Sequence, residues 1–126
     1  MAKQAFNLPN AQARPYSQAV RAGDFIFVSG TTGAVNTQTG EKVTGIQNQT
    51  KQCLENIKRV LAGMGASLDG AVKCTAFITK AEDWAPMNEV YRIYFPKDPP
   101  TRSTVIVGLV QADMLVEIEC IIYAPK

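Results

Sequence analysis

Leu115-Val116-Glu117-Ile118-Glu119-Cys120-Ile121-Ile122-Tyr123 is the stretch on which the fold turns. In an extended chain successive side chains leave on opposite faces. Val116, Ile118, Cys120 and Ile122 therefore share one face, while Glu117, Glu119, Ile121 and Tyr123 share the other. A sheet covered on one side alternates apolar with polar, and this segment does not. The same holds at 24–29, where Ile26 and Val28 oppose Phe25 and Phe27, and at 102–108, where Ser103, Val105 and Val107 oppose Thr104 and Ile106.

Working outward, residues 16–20 and 24–29 read as two strands joined by Arg21-Ala22-Gly23. Residues 33–45, rich in Gly, Thr, Asn and Gln, mark a loop. From Ile46 the period changes: Ile46, Thr50, Cys53, Leu54, Ile57, Leu61 and Met64 recur at helical steps, and Gly63 and Gly65 stop them. Residues 71–79 predict a third strand. A second helix is predicted from about Asp83, as its cap, through Trp84, Met87, Tyr91 and Phe95, with Pro96, Pro99 and Pro100 ending it. Strands at 102–108 and 115–123, separated by Val110-Gln111-Ala112-Asp113, complete an α+β order, β-β-α-β-α-β-β, in one domain over 1–126. Two helices cover one face of a sheet. The other face then holds several large apolar side chains, each worth roughly 1.5–3 kcal/mol when buried, so the expectation is a closed homo-oligomer.

A chain of 126 residues fits one core. Its net charge of +2 gives no electrostatic drive toward nucleic acid or membranes. Cys53, Cys74 and Cys120 lie widely spaced in apolar runs and read as small buried hydrophobes, an unpaired set that suits a reducing compartment. The absence of histidine excludes Ser-His-Asp and Cys-His catalysis and the usual zinc hydrolase sites. Acid–base work falls to carboxylates, Tyr, Lys or ordered water. The N-terminal stretch has no apolar signal region and no apolar run exceeds about six residues, so the cytoplasm is the expected compartment.

Two polar residues interrupt apolar patterns. Asn88 shares a helical stripe with Trp84 and Tyr91, where it serves either a structural hydrogen bond or a site. Glu117 stands inside the last strand on the face away from the helices. Arg102 is its expected partner if the last two strands pair antiparallel, as a structural ion pair or as a site. The prolines before Arg102 stiffen its approach, and a guanidinium fork suits two-pronged carboxylate recognition.

Pro100-Thr101-Arg102-Ser103-Thr104-Val105, then Gly108-Leu109 and Val116-Glu117-Ile118, resembles the C-terminal signature of the RidA/YjgF family of reactive-intermediate deaminases. Pro15-Tyr16-Ser17-Gln18-Ala19-Val20 resembles that family's opening motif, Val28-Ser29-Gly30 its next strand end, and Asn88-Glu89-Val90-Tyr91 its second-helix motif, all in family order. The resemblance implies a chorismate-mutase-like homotrimer with a central barrel and clefts between subunits. It also implies hydrolysis of enamines and imines such as 2-aminoacrylate and 2-iminobutanoate to 2-keto acids and ammonia. Arg102 would clamp the substrate carboxylate and Glu117 would activate water. Tyr16, Ser29 and Asn88 would shape the pocket, with Gly30 and the Thr104 backbone adding polar contacts. No metal or organic cofactor is implied, since a protonated imine is already electrophilic. Arg14, Thr31 and Thr104 stand where the family commonly has Gly, Gln and Cys. The competing readings are a single-strand RNA endonuclease or translation inhibitor, and a non-catalytic metabolite-binding module.

Overall fold

The computed structural model describes residues 2–126. Strands β1 (Gln4–Phe6), β2 (Ala19–Ala22) and β3 (Phe25–Thr32) precede helix α1 (Ile46–Gly63). Strand β4 (Ala71–Ile78), helix α2 (Trp84–Tyr94), β5 (Thr101–Ile106) and β6 (Val116–Tyr123) follow. They form one mixed sheet in the order β1-β2-β3-β6-β4-β5. Only β4 and β5 are parallel, as a strand–helix–strand crossover through α2 requires.

The two-faced strands behave as their sequences predict. Ile26, Val28, Cys74, Ala76, Ile78, Val116, Ile118, Cys120 and Ile122 are buried against α1 and α2. The opposite face leaves Phe25, Phe27, Val105 and Tyr123 exposed, Phe27 at 45% and Tyr123 at 48%. Both helices pack into the same core cluster, α1 through Cys53, Leu54, Ile57, Val60 and Leu61, and α2 through Met87 and Tyr91, with Phe95 just beyond its end.

Several expectations are corrected. The first hairpin pairs Ala19–Ala22 with Phe25–Thr32 rather than 16–20 with 24–29, and its two-residue turn is Gly23-Asp24, where Gly23 takes φ 61°. A positive φ at the first turn position suits glycine. β1 escaped the pattern because three residues carry no period; its Phe6 packs where Gly63 lacks a side chain, since a Cβ there would lie 2.6 Å from the Phe6 ring. Strand β6 does not pair with β5. It lies between β3 and β4, antiparallel to both. The reason is its composition: apolar on both faces, it takes a central place, while Thr101-Arg102-Ser103-Thr104 is left to the edge. Asp83 does not cap α2 with its side chain; a turn of 3-10 helix at Ala81–Asp83 leads into it. The inward stripe then runs through Asp83, Met87 and Tyr91, and Trp84 is 52% exposed instead of inward.

The end of α1 stops as its glycines predict. Gly65 takes φ 72°, the Ala66 N–H donates to the Leu61 carbonyl and the Gly65 N–H to the Ala62 carbonyl, which closes the last turn. Two buried carboxamides on this helix hold the loops. Asn56 donates to the Thr32 and Val35 carbonyls at 3.2 and 2.9 Å. Gln49, 1% exposed, donates to the Val43 and Asp113 carbonyls and accepts from the Leu115 N–H at 2.9 Å. It thereby ties both the 33–45 loop and the approach to β6 onto α1. Gln49→Ala strands all three backbone groups, and at about 1–3 kcal/mol for each group left unmet in the interior the expected loss is about 2–4 kcal/mol after water re-enters. Urea unfolding of the two proteins measures it.

Candidate active site

The seven residues singled out in the sequence fall into two groups. The first lies at the junction of β3 and β6. Pairing between β3 and β6 shifts register between Val28 and Thr31, so Ser29 and Gly30 sit in a bulge. A Cβ on Gly30 would collide with the Glu117 carboxylate, so only glycine lets that side chain lie across the bulge. The Ser29 hydroxyl donates to the Ser17 carbonyl at 2.6 Å, and the Ser29 N–H to the Gln18 carbonyl at 3.0 Å. These two bonds dock the 15–18 segment, with Tyr16 55% exposed beside them, onto the strand end. The Gln18 side chain accepts from the Leu8 N–H at 2.8 Å, which fastens the same segment from its other side.

Glu117 points to the open face, with Thr32 and Phe77 as its register neighbours on β3 and β4. Partial burial, and then the negative charge of Glu119, hold its carboxyl above the usual carboxylate range. That suits a group that must take up a proton.

The second group lies at the α2–β5 edge. Arg102 is aligned with Cys74, which is aligned with Cys120, so all three share the helix-covered face. Its guanidinium stacks over the Tyr91 ring, 4.6 Å from the centroid, and Tyr91 in turn packs on Phe95 with centroids 4.6 Å apart. Thr104 follows on the same face of β5, half-buried. Asn88 lies one turn before Tyr91, and its Oδ1 is buried without a hydrogen-bond partner. The residue that sequence reasoning missed is Tyr91: it was visible as part of the second-helix motif, but only the crossover that sets α2 over β5 reveals it as the platform for Arg102.

One expectation fails here. Arg102 and Glu117 do not pair. They lie on opposite faces of one sheet, because β4 separates their strands and their register positions differ in parity. The ion pair among the described residues joins Lys58 to Glu55 at 3.6 Å, and Arg102 has no carboxylate of its own chain. A half-buried guanidinium braced on an aromatic ring and left without a counter-charge has the chemistry to pair with an anion.

The sequence profile of the family described as Endoribonuclease L-PSP matches residues 7–124. A RutC family protein of Pyrococcus horikoshii is 46% identical over 110 residues, covering 86% of each chain. The Arabidopsis thaliana protein named Reactive Intermediate Deaminase A, chloroplastic, is 38% identical over 108 residues, covering 85% of this chain and 57% of that one. Among solved structures, Escherichia coli TdcF with bound serine matches with a TM-score of 0.85 at 35% identity, covering 95% of this chain and 98% of that one. RidA from an Antarctic Psychrobacter matches with a TM-score of 0.82 at 35% identity over 90% and 91% of the two chains. None of the helices described is long and apolar enough to cross a membrane. With the profile spanning most of the sequence, and with relatives of this similarity sharing its mixed sheet and two helices, the chain belongs to the RidA/YjgF family.

Proposed function

We propose that this protein hydrolyses 2-enamine and 2-imino acids, such as 2-aminoacrylate and 2-iminobutanoate, to 2-keto acids and ammonia, in clefts between the copies of a homotrimer. One observation carries the reading: the two charged groups the chemistry needs lie on opposite faces of one chain's sheet, each without an opposite charge. A second copy, docked over the open face, can bring its Glu117 to the Arg102 edge of the first. The exposed Phe25, Phe27, Val105 and Tyr123 supply the apolar drive for that docking, and three sheets closing on those faces make a central barrel. Support for a carboxylate ligand comes from TdcF, solved with serine bound.

In the cleft Arg102 pairs two-pronged with the substrate carboxylate, held in plane by Tyr91. An enamine takes a proton at C3 to become the imine, whose C2 is electrophilic. Glu117 accepts a proton from water as the oxygen attacks C2, and the carbinolamine then expels ammonia and leaves the keto acid. The raised proton affinity of Glu117 favours that uptake. Ser29 has committed its hydroxyl proton to Ser17, so it faces the ligand as an acceptor, as does the unpartnered Asn88 Oδ1. Tyr16, Gly30 and Thr104 complete the lining.

The family profile is described by an endoribonuclease, which favours single-strand RNA cleavage as the second reading. RNA cleavage at low salt that persists in Arg102→Ala would favour it over deamination.

In a coupled reaction where a threonine dehydratase generates iminobutanoate and semicarbazide traps it, the protein should accelerate release of 2-ketobutyrate. Arg102→Ala, which removes a charge-assisted, two-pronged contact, should lower kcat/KM by about 10²-fold or more with circular dichroism unchanged. Undiminished activity in that variant overturns the mechanism. Ligand binding without turnover in the native protein leaves only the binding-module reading.

Glu117→Gln should lower kcat by roughly 10²–10⁴-fold. In the native protein kcat should fall with decreasing pH as Glu117 becomes protonated, at a midpoint above that of an ordinary glutamate. The glutamine variant should lose that acid limb.

Shared clefts make a sharper prediction. Arg102→Ala and Glu117→Gln proteins, each inactive, are unfolded together and refolded at equal amounts. Random reassembly gives mixed rings in about three quarters of trimers, each with one native boundary of three, so about a quarter of native activity should return. No recovery means that both residues serve from one chain.

A further inference from the structure

Cys74 and Cys120 stand directly opposite each other on β4 and β6, and their sulfurs lie 3.2 Å apart in the buried core. Neither was read as paired from the sequence, where 46 positions separate them. We infer that these two thiols are an oxidisable pair that closes to a cross-strand disulfide without movement of the backbone.

The geometry carries the inference. Residues directly opposite in an antiparallel ladder have Cα atoms about 4.5 or 5.5 Å apart, and both values fall inside the roughly 4.4–6.8 Å that a disulfide spans. Rotation about the two Cα–Cβ bonds is then enough to bring sulfurs already in contact to bonding distance. Cys53, the third thiol, is engaged elsewhere: it donates to the Thr31 carbonyl at 2.9 Å. The hydrogen bond between the paired sulfurs lowers the proton affinity of Cys74 and raises that of Cys120, and the Arg102 charge adds to the first effect. Cys74 is therefore the more acidic thiol of the pair. It also lies one strand in from the edge strand β5, in register with half-buried Arg102.

With a hydroperoxide as the oxidant, Cys74 gives up its proton to the departing oxygen as its sulfur attacks the outer peroxide oxygen. It becomes a sulfenic acid and releases the alcohol, or water from hydrogen peroxide. Cys120 then attacks the Cys74 sulfur, the S–S bond forms, and the sulfenic oxygen leaves as water with the Cys120 proton. Two thiols lose two electrons and one peroxide gains them.

The test needs only the native protein. After treatment with hydrogen peroxide and removal of excess, thiol titration in denaturant should fall from three free thiols per chain to one. The intact mass should drop by about 2 Da, and non-reducing peptide mapping should join the segments that contain Cys74 and Cys120. Dithiothreitol should restore all three thiols. Cys53→Ala should oxidise as the native chain does, whereas Cys120→Ala should retain no intramolecular bond. Persistence of three thiols at an oxidant level that titrates them in the denatured chain overturns the inference. So does a bond that uses Cys53, or one that joins two chains. The readout depends on no enzymatic activity, so it stands or falls separately from the deaminase reading.

Discussion

The placement of β6 between β3 and β4 is the constraint from which the rest follows. Val116, Ile118, Cys120 and Ile122 are wholly or almost wholly buried on one side. On the other, Ile121 and Tyr123 prevent the strand from serving as a solvated edge. A strand with apolar side chains on both faces is most stable with neighbours on both sides. Its insertion displaces β5 to the edge and leaves Glu117 and Arg102 on different faces. The same alternation that builds the core therefore divides the polar groups between two surfaces.

That division explains how a chain of this size keeps charged groups partly buried without an internal partner. Glu117 lies across a bulge where Gly30 leaves room for its carboxylate, and Arg102 rests on the flat face of Tyr91. Neither is neutralised inside its own chain. Each would be costly if fully withdrawn from water, and each retains part of its exposure. The structure holds both at surfaces, one on each face of the sheet.

Much of this was legible in the sequence, and for identifiable reasons. Helix α1 was plain because its apolar stripe repeats over several turns, and the strands were plain where four or more residues alternate. The apolar second face is legible in Phe25, Phe27 and Tyr123 from the sequence alone. What could not be read was order within the sheet: nothing local to 102–123 says whether two successive strands are neighbours or have a third between them. The false pairing of Arg102 with Glu117 came from that gap. Trp84 falls outside the core because it is the first residue of the helix, at the margin of the stripe that Asp83, Met87 and Tyr91 define, and periodicity does not register such an end. Gln49 and Asn56 were overlooked because a buried carboxamide resembles a surface one until its partners, many positions away, are known.

The order of the strands also bears on how the chain reaches its native form. β1, β2 and β3 form one antiparallel group, and β4 with β5 forms another, yet no ladder joins the two groups directly. Among the described residues their one bridge is β6, the last strand in chain order. Until β6 docks, no ladder joins the two halves of the sheet, and Ile26, Val28, Cys74 and Ile78 are short of their central neighbour. Contacts spanning nearly a hundred positions, as between Phe25 and Tyr123, close late and slow the reaction. Until then both half-sheets offer open edges to any extended chain nearby, so partly folded copies are most prone to misassembly before the last strand docks.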